Sequence, residues 1–176
     1  MITAVLSGSH PLRWARLPEE LLRNPLVRKA VVLHAGEPGT SPPRCEMLAV
    51  AGMVSGGIWN TILDKVATRY ILFFPDAGGV RPDPRAPDRL VETAEATGAG
   101  AVYADYAEIC GETLREHPVN DYQTGSLRDG FDFGPQILIS TVSARRAIKK
   151  YGEIPVYRWA GWYDLRLKIS ADKDLF

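Results

Sequence analysis

A chain of 176 residues in which 21 Lys and Arg balance 21 Asp and Glu carries no net field toward nucleic acid or an anionic membrane, so an anionic ligand must be held locally. Two cysteines, Cys45 and Cys110, are too few for a disulfide framework and point to a reduced, cytoplasmic protein. No run approaches the ~20 apolar residues of a membrane span, and the opening Met-Ile-Thr-Ala-Val-Leu lacks the basic flank of a signal peptide, so a soluble chain with one domain over residues 1–176 is expected.

Ile2 to Leu6 is a β-branched and apolar run ending at Ser7-Gly8-Ser9, the pattern of a first strand opening into a loop. Pro18-Glu19-Glu20 starts a short helix, because Pro suits the first helical turn and the acids suit the positive end of the dipole; Asn24-Pro25 stops it. Ala30 to Leu33 reads as a second strand and Met47 to Ala51 as a third. Between them, His34 to Cys45 is too rich in Gly, Pro, Ser and Thr for a regular element. In the following run Ile58, Ile62 and Val66 recur at i, i+4, i+8 with Trp59 and Leu63 beside them, which predicts an amphipathic helix. Tyr70 to Phe74 is continuously apolar, as in a strand covered on both faces. Pro75 offers no N–H to a ladder, so pairing should stop there and leave Asp76 at the strand's carboxyl end.

Gly78 to Pro87 is a Pro- and Gly-rich loop, Asp88 to Thr97 a helix capped by Gly98, and Ala99 to Tyr106 a strand that again presents an aspartate, Asp105. Repeated βα units imply an α/β fold with a mostly parallel, Rossmann-like sheet, right-handed crossovers and helices on both faces. Ligands in such sheets sit at the carboxyl ends of the strands. Residues 107 to 134 lose periodicity and read as loop or irregular hairpin. Gln136 to Ile139 is a strand, Thr141 an N-cap for a helix through Lys150, and Asp164 to Ser170 a last helix after the aromatic run Tyr157 to Tyr163.

Three stretches, in this order, resemble the family-two glycosyltransferases: GGIWNTILDKVATRYILFFPDAGG, VYADYAEICGE and AGWYDLRLKIS. They resemble that family's helix with an Arg-Asn pair leading to Asp-x-Asp, its Tyr-Ser-Asp stretch, and its closing Glu-Asp-x-Asp-Leu segment. HPVNDYQTGSLRDGFDFG stands where the family has an acceptor-side region, with Arg128-Asp129 and Asp132 in it. The resemblance implies a GT-A, nucleotide-diphospho-sugar transferase-like domain that moves a sugar from a nucleotide diphosphate to the hydroxyl of a glycan or other acceptor. Mn²⁺ or Mg²⁺ would neutralise the departing diphosphate and a carboxylate would take the acceptor's proton.

Carried over residue by residue, the resemblance implies donor-side roles for Ser7, His34, Asn60, Asp76 and Asp105. Asp164 matches the family's second aspartate and is the candidate catalytic carboxylate, and Trp159 and Trp162 are candidates for a stacking face toward a sugar or acceptor. The departures are specific. Asp76-Ala77-Gly78 keeps only the first acid of Asp-x-Asp, so Asp105 is the expected second metal ligand, on the argument that neighbouring strands lie ~4.8 Å apart. His34-Ala35 stands where the family has a base-contacting aspartate, and Gly161-Trp162 where it has Glu-Asp. These losses also fit a decayed domain that binds nucleotide sugar or regulates without turnover. A nucleotidyltransferase shares the architecture, but no Gly-rich loop with a basic residue follows the first strand. Family members continue beyond the closing segment, so a shortened domain with an open acceptor side and a tendency to homo-oligomerise is expected.

Overall fold

The computed structural model describes residues 1–8, 16–35, 43–50, 56–123, 132–157, 160–172 and 175; expectations placed on Ser9, the 36–42 loop, Ala51, Ser55, Arg128, Asp129 and Trp159 lie outside them. The elements are β1 (Ile2–Leu6), α1 (Leu17–Leu21), β2 (Val27–His34), β3 (Cys45–Ala49), α2 (Gly56–Lys65), β4 (Tyr70–Phe74) and α3 (Ala86–Thr97). After these come β5 (Ala101–Tyr103), β6 (Tyr106–Cys110), β7 (Thr113–His117), β8 (Ile137–Ser140), α4 (Thr141–Tyr151) and α5 (Gly161–Ser170). None of the described helices is long and apolar enough to cross a membrane.

Six strands form one sheet in the order β3-β2-β1-β4-β8-β5. The β1/β2, β1/β4 and β2/β3 pairs are parallel, while β8 runs antiparallel to both β4 and β5. The sheet is therefore mostly parallel, as the repeated βα units imply. Strand pleating sends alternate side chains to opposite faces. Ile2, Ala4 and Leu6 join Leu72 and Phe74 beneath α1 and α3, while Val5, Ile71 and Phe73 join Trp59, Ile62, Ala144 and Leu165 beneath α2, α4 and α5. Helices on both faces explain why Tyr70–Phe74 is buried at every position.

Several boundaries differ from the expectation. Strand β5 ends at Tyr103 rather than at Tyr106, because the chain leaves the sheet there and forms the β6/β7 hairpin. Gly111 turns that hairpin with φ +64°, the left-handed first position that two-residue hairpin loops require. The cap of α4 is Ser140, whose side chain accepts from the Ser143 N–H, and not Thr141, which is already helical and buried. Pro75 ends β4 as expected, yet one backbone bond passes it: Ala77 N–H donates to the Ser7 carbonyl at 2.6 Å. That bond fastens the Asp76 turn to the end of β1.

Candidate functional site

The carboxyl edge of the parallel strands gathers residues from separate parts of the chain. Leu6 pairs with both Val32 and Phe74, so Ser7, His34 and Asp76 follow at the ends of adjacent strands. Ser7 is buried, with its N–H donating to the Phe74 carbonyl and its own carbonyl accepting from Ala77. His34 is 6% exposed; its carbonyl accepts the Val50 N–H, and its Nδ1 is enclosed with no hydrogen-bond partner. Asp76 is exposed and turns one carboxylate oxygen back onto the Gly78 N–H at 3.0 Å. This Asx turn leaves the other oxygen free of described partners.

Asp105 stands apart from these three. Strand β8 lies between β4 and β5, so the argument that placed Asp76 and Asp105 on neighbouring strands does not hold. Two strand spacings, about 9.6 Å, separate their strands. One Asp105 oxygen accepts the Val119 N–H at 2.7 Å, tying the end of β5 to the segment after the hairpin. Among the described residues no group of three or more His, Cys, Asp or Glu side chains gathers to hold a metal ion. The donor set that Mn²⁺ or Mg²⁺ would want, several oxygens converging on one point, is thus not assembled by these two aspartates.

Asp105 instead lies on the wall of an open cleft of about 1050 Å³ between the loop after Asp76, the start of α3 and the β6 strand. Arg81, Asp83, Arg85 and Arg89 of the 78–93 segment line it together with Asp105 and Glu108. The sequence gives 78–87 as a Pro- and Gly-rich loop and does not single out its arginines.

Asn60 is the fifth residue of α2. Its Nδ2 donates to the Ile154 carbonyl at 3.0 Å and its Oδ1 accepts the Ile154 N–H at 3.2 Å, so both ends of the amide hold one residue of the segment after α4. The same segment closes on Gly56, whose N–H donates to the Tyr157 carbonyl. Asp164 pairs with Lys168 at 2.5 Å one turn along α5, and Lys168 also reaches the Glu153 carbonyl.

Trp162 lies in a cluster with Trp59 at 5.3 Å and Phe73 at 5.4 Å, both tilted, and Phe133 edge-on at 6.5 Å between ring centroids. One residue in this cluster escapes the sequence reading. Arg166 is 7% exposed, its guanidinium 4.6 Å from the Phe133 ring, 5.3 Å from Trp162 and 5.4 Å from Tyr163. Burial lowers its pKa to about 10, with Tyr163 opposing the shift, so it remains a cation at neutral pH. The available signal is spacing: Trp162, Tyr163 and Arg166 stand at i, i+1 and i+4 of one helix, so both aromatics neighbour the arginine.

No family model and no curated protein matches the sequence. Solved structures show the fold. Over 99% of this chain and 57% of the other, it is similar to Staphylococcus aureus TarS 1–349, with a TM-score of 0.64 at 10% identity. The same stretch of TarS in complex with UDP gives 0.60 at 10% identity, over the whole of this chain and 58% of that one. The 2-C-methyl-D-erythritol 4-phosphate cytidylyltransferase of Thermus thermophilus gives 0.52 at 16% identity, covering 98% of this chain and 85% of that one. At such identities the likeness establishes a nucleotide-diphospho-sugar transferase-like architecture, and the chain spans a little over half the length of the TarS structure.

Proposed function

We propose that this chain is a transferase that binds a pyrimidine nucleotide-activated substrate, a nucleoside diphosphate sugar, at the carboxyl edge marked by Ser7, His34 and Asp76, and passes the sugar to a hydroxyl acceptor. The observation that carries the reading is the chain-long likeness to a structure holding UDP, joined to polar strand ends at the edge where such sheets bind ligands. The two kinds of neighbour, one with UDP and one a cytidylyltransferase, share a pyrimidine nucleotide. His34 ends β2 on this edge, and its enclosed Nδ1 has no hydrogen-bond partner among the described residues. Asp76 keeps one carboxylate oxygen for a ribose hydroxyl.

In the transfer the acceptor oxygen attacks the anomeric carbon, the bond from that carbon to the phosphate oxygen breaks, and the diphosphate leaves with the electron pair. The acceptor's proton goes to a carboxylate, for which Asp164 is the candidate once Lys168 releases it. Trp162, half-buried, and Trp159 belong to the acceptor side of this reading.

Thermal shift with UDP-, GDP- and dTDP-sugars, each with and without Mn²⁺, tests it. A uridine donor at about a hundred times its Kd should stabilise the fold by about 2.7 kcal/mol. No shift with any donor at millimolar concentration removes the proposal. A second reading, nucleotidyl transfer, draws on the 85% of the Thermus thermophilus enzyme that this chain covers. It predicts release of pyrophosphate from CTP, whereas glycosyl transfer predicts release of a nucleoside diphosphate; binding without either release identifies a non-catalytic sensor.

A further inference from the structure

Arg166 is a buried cation without a counter-ion among the described residues. Its guanidinium makes no hydrogen bond and no ion pair with them, and its Nε is fully enclosed with no partner. Three aromatic rings surround the group. Ring contacts satisfy the faces of a guanidinium but not its in-plane N–H fork, which is built for a carboxylate or phosphate. An enclosed Nε–H without a partner is costly for a fold to retain. Trp162 or Tyr163 could be packed as well by an uncharged side chain.

The position of the cage says what the fork meets. Phe133 lies four residues before β8, and β8 starts at the carboxyl edge because it runs antiparallel to β4, Ile137 pairing with Phe73. Trp162 also touches Phe73, the last but one residue of β4. The cage therefore sits at the edge proposed for the nucleotide, on the α2/α5 face, at the strand that leads to Asp76. The nearby described acids do not assemble a divalent metal site.

We infer that the Arg166 fork is an oxyanion receptor that takes the diphosphate of the bound nucleotide. The inference rests on the proposed function for the identity of the ligand but not for the receptor itself. A charged fork at this point serves both ground-state binding and the charge that builds on the departing phosphate oxygen.

Isothermal titration of the wild-type chain, Arg166→Met and Arg166→Lys with uridine, UDP and inorganic pyrophosphate tests it. The expected result is a loss of about tenfold to a hundredfold in UDP and pyrophosphate affinity for Arg166→Met, the scale of one or two charge-assisted hydrogen bonds, with uridine unchanged. Arg166→Lys, which keeps the charge and loses the fork, should fall between. The unliganded Arg166→Met protein should melt at the wild-type temperature or above it, since an enclosed donor without a partner has gone. If the wild type binds pyrophosphate through Arg166 but no nucleotide sugar, the receptor stands and the transferase reading falls. If UDP binds wild type and both variants alike, the transferase reading survives and the receptor is overturned. A wild type that responds to neither UDP nor pyrophosphate overturns the receptor too, and the Lys variant decides the matter should the Met variant not fold.

Discussion

Replacing Asn60 with Ala isolates the part this residue plays. Both polar ends of its amide are spent on Ile154, itself 1% exposed, through bonds of 3.0 and 3.2 Å. Each net hydrogen bond contributes about 1 kcal/mol, and the Ile154 N–H and C=O left behind would be unpaired at a further cost of about 1 kcal/mol or more. The expected loss is about 2–4 kcal/mol, a large share of the ~5–15 kcal/mol that holds a typical domain. With a urea slope of about 2 kcal/mol/M, the midpoint should fall by about 1–2 M. Asn60→Asp keeps the acceptor and loses the donor, so it should fall between. A Cβ on Gly56 would meet the Pro155 carbonyl oxygen at 1.9 Å and Ile154 Cγ2 at 2.9 Å, so Gly56→Ala pushes away the segment that Asn60 holds. The two changes should then be strongly non-additive, with a coupling above about 1 kcal/mol. UDP affinity should stay within about threefold for Asn60→Ala, because both polar atoms of the amide are already engaged by Ile154. A midpoint shift under about 0.3 M, or a large loss of affinity at unchanged stability, would refute this structural role.

Arg145 donates from Nε and Nη2 to the Leu63 carbonyl and from Nη2 to the Val66 carbonyl, closing the carboxyl end of α2 from α4. Arg145→Ala should cost about 1–3 kcal/mol in urea unfolding, and a neutral result would show that water replaces those bonds freely. Lys29 and then Lys65 hold the Glu46 carboxyl below its ordinary range by hydrogen bonding. A lowered folded pKa gives stability that is present above the unfolded value and is lost as pH falls through the folded one. Glu46→Gln should therefore cost about 0.5 kcal/mol at neutral pH, with the gap to wild type closing below about pH 4; a gap independent of pH would remove the ion pair as its cause.

The strands that set the edge were legible because each is an apolar run with a clear stop. Ile2–Leu6 and Tyr70–Phe74 match the expected bounds residue for residue. Strand β2 begins three residues earlier than expected, since Arg28 and Lys29 interrupt the apolar pattern that marks it. Strand β3 begins at Cys45 and includes Glu46, a charge that local pattern assigns to a loop but that Lys29 and Lys65 hold in place. The hairpin was legible no further than as loop or irregular hairpin, because its strands are exposed on both faces and carry no apolar alternation. What could not be read is non-local. The insertion of β8 between β4 and β5 depends on pairing across the chain, and it separates the two aspartates that sequence order brings together. Asn60 finds its partner 94 residues away. Arg166, flanked by Leu165 and Leu167, reads as an ordinary helical cation until the fold closes three rings around it.

Two arginines on adjacent helices show how a charge used for architecture differs from one that is not. Arg145 spends its donors on the carbonyls at the end of α2, where the helix dipole itself favours a cation, and its removal breaks bonds that the fold visibly makes. Arg166 is more deeply buried and joins no carbonyl or carboxylate among the described residues; the Phe133 ring, 4.6 Å from its guanidinium, is the ring contact it makes beyond its own helix. The aromatic contacts that keep it in place would persist for an uncharged chain of similar length. What an uncharged chain could not supply is a rigid fork of donors at the edge where the strand ends meet. The cost of the enclosed Nε–H falls on the empty protein and is recovered when an oxyanion arrives, which is the arrangement expected of a site preorganised for a charge that it does not itself contain.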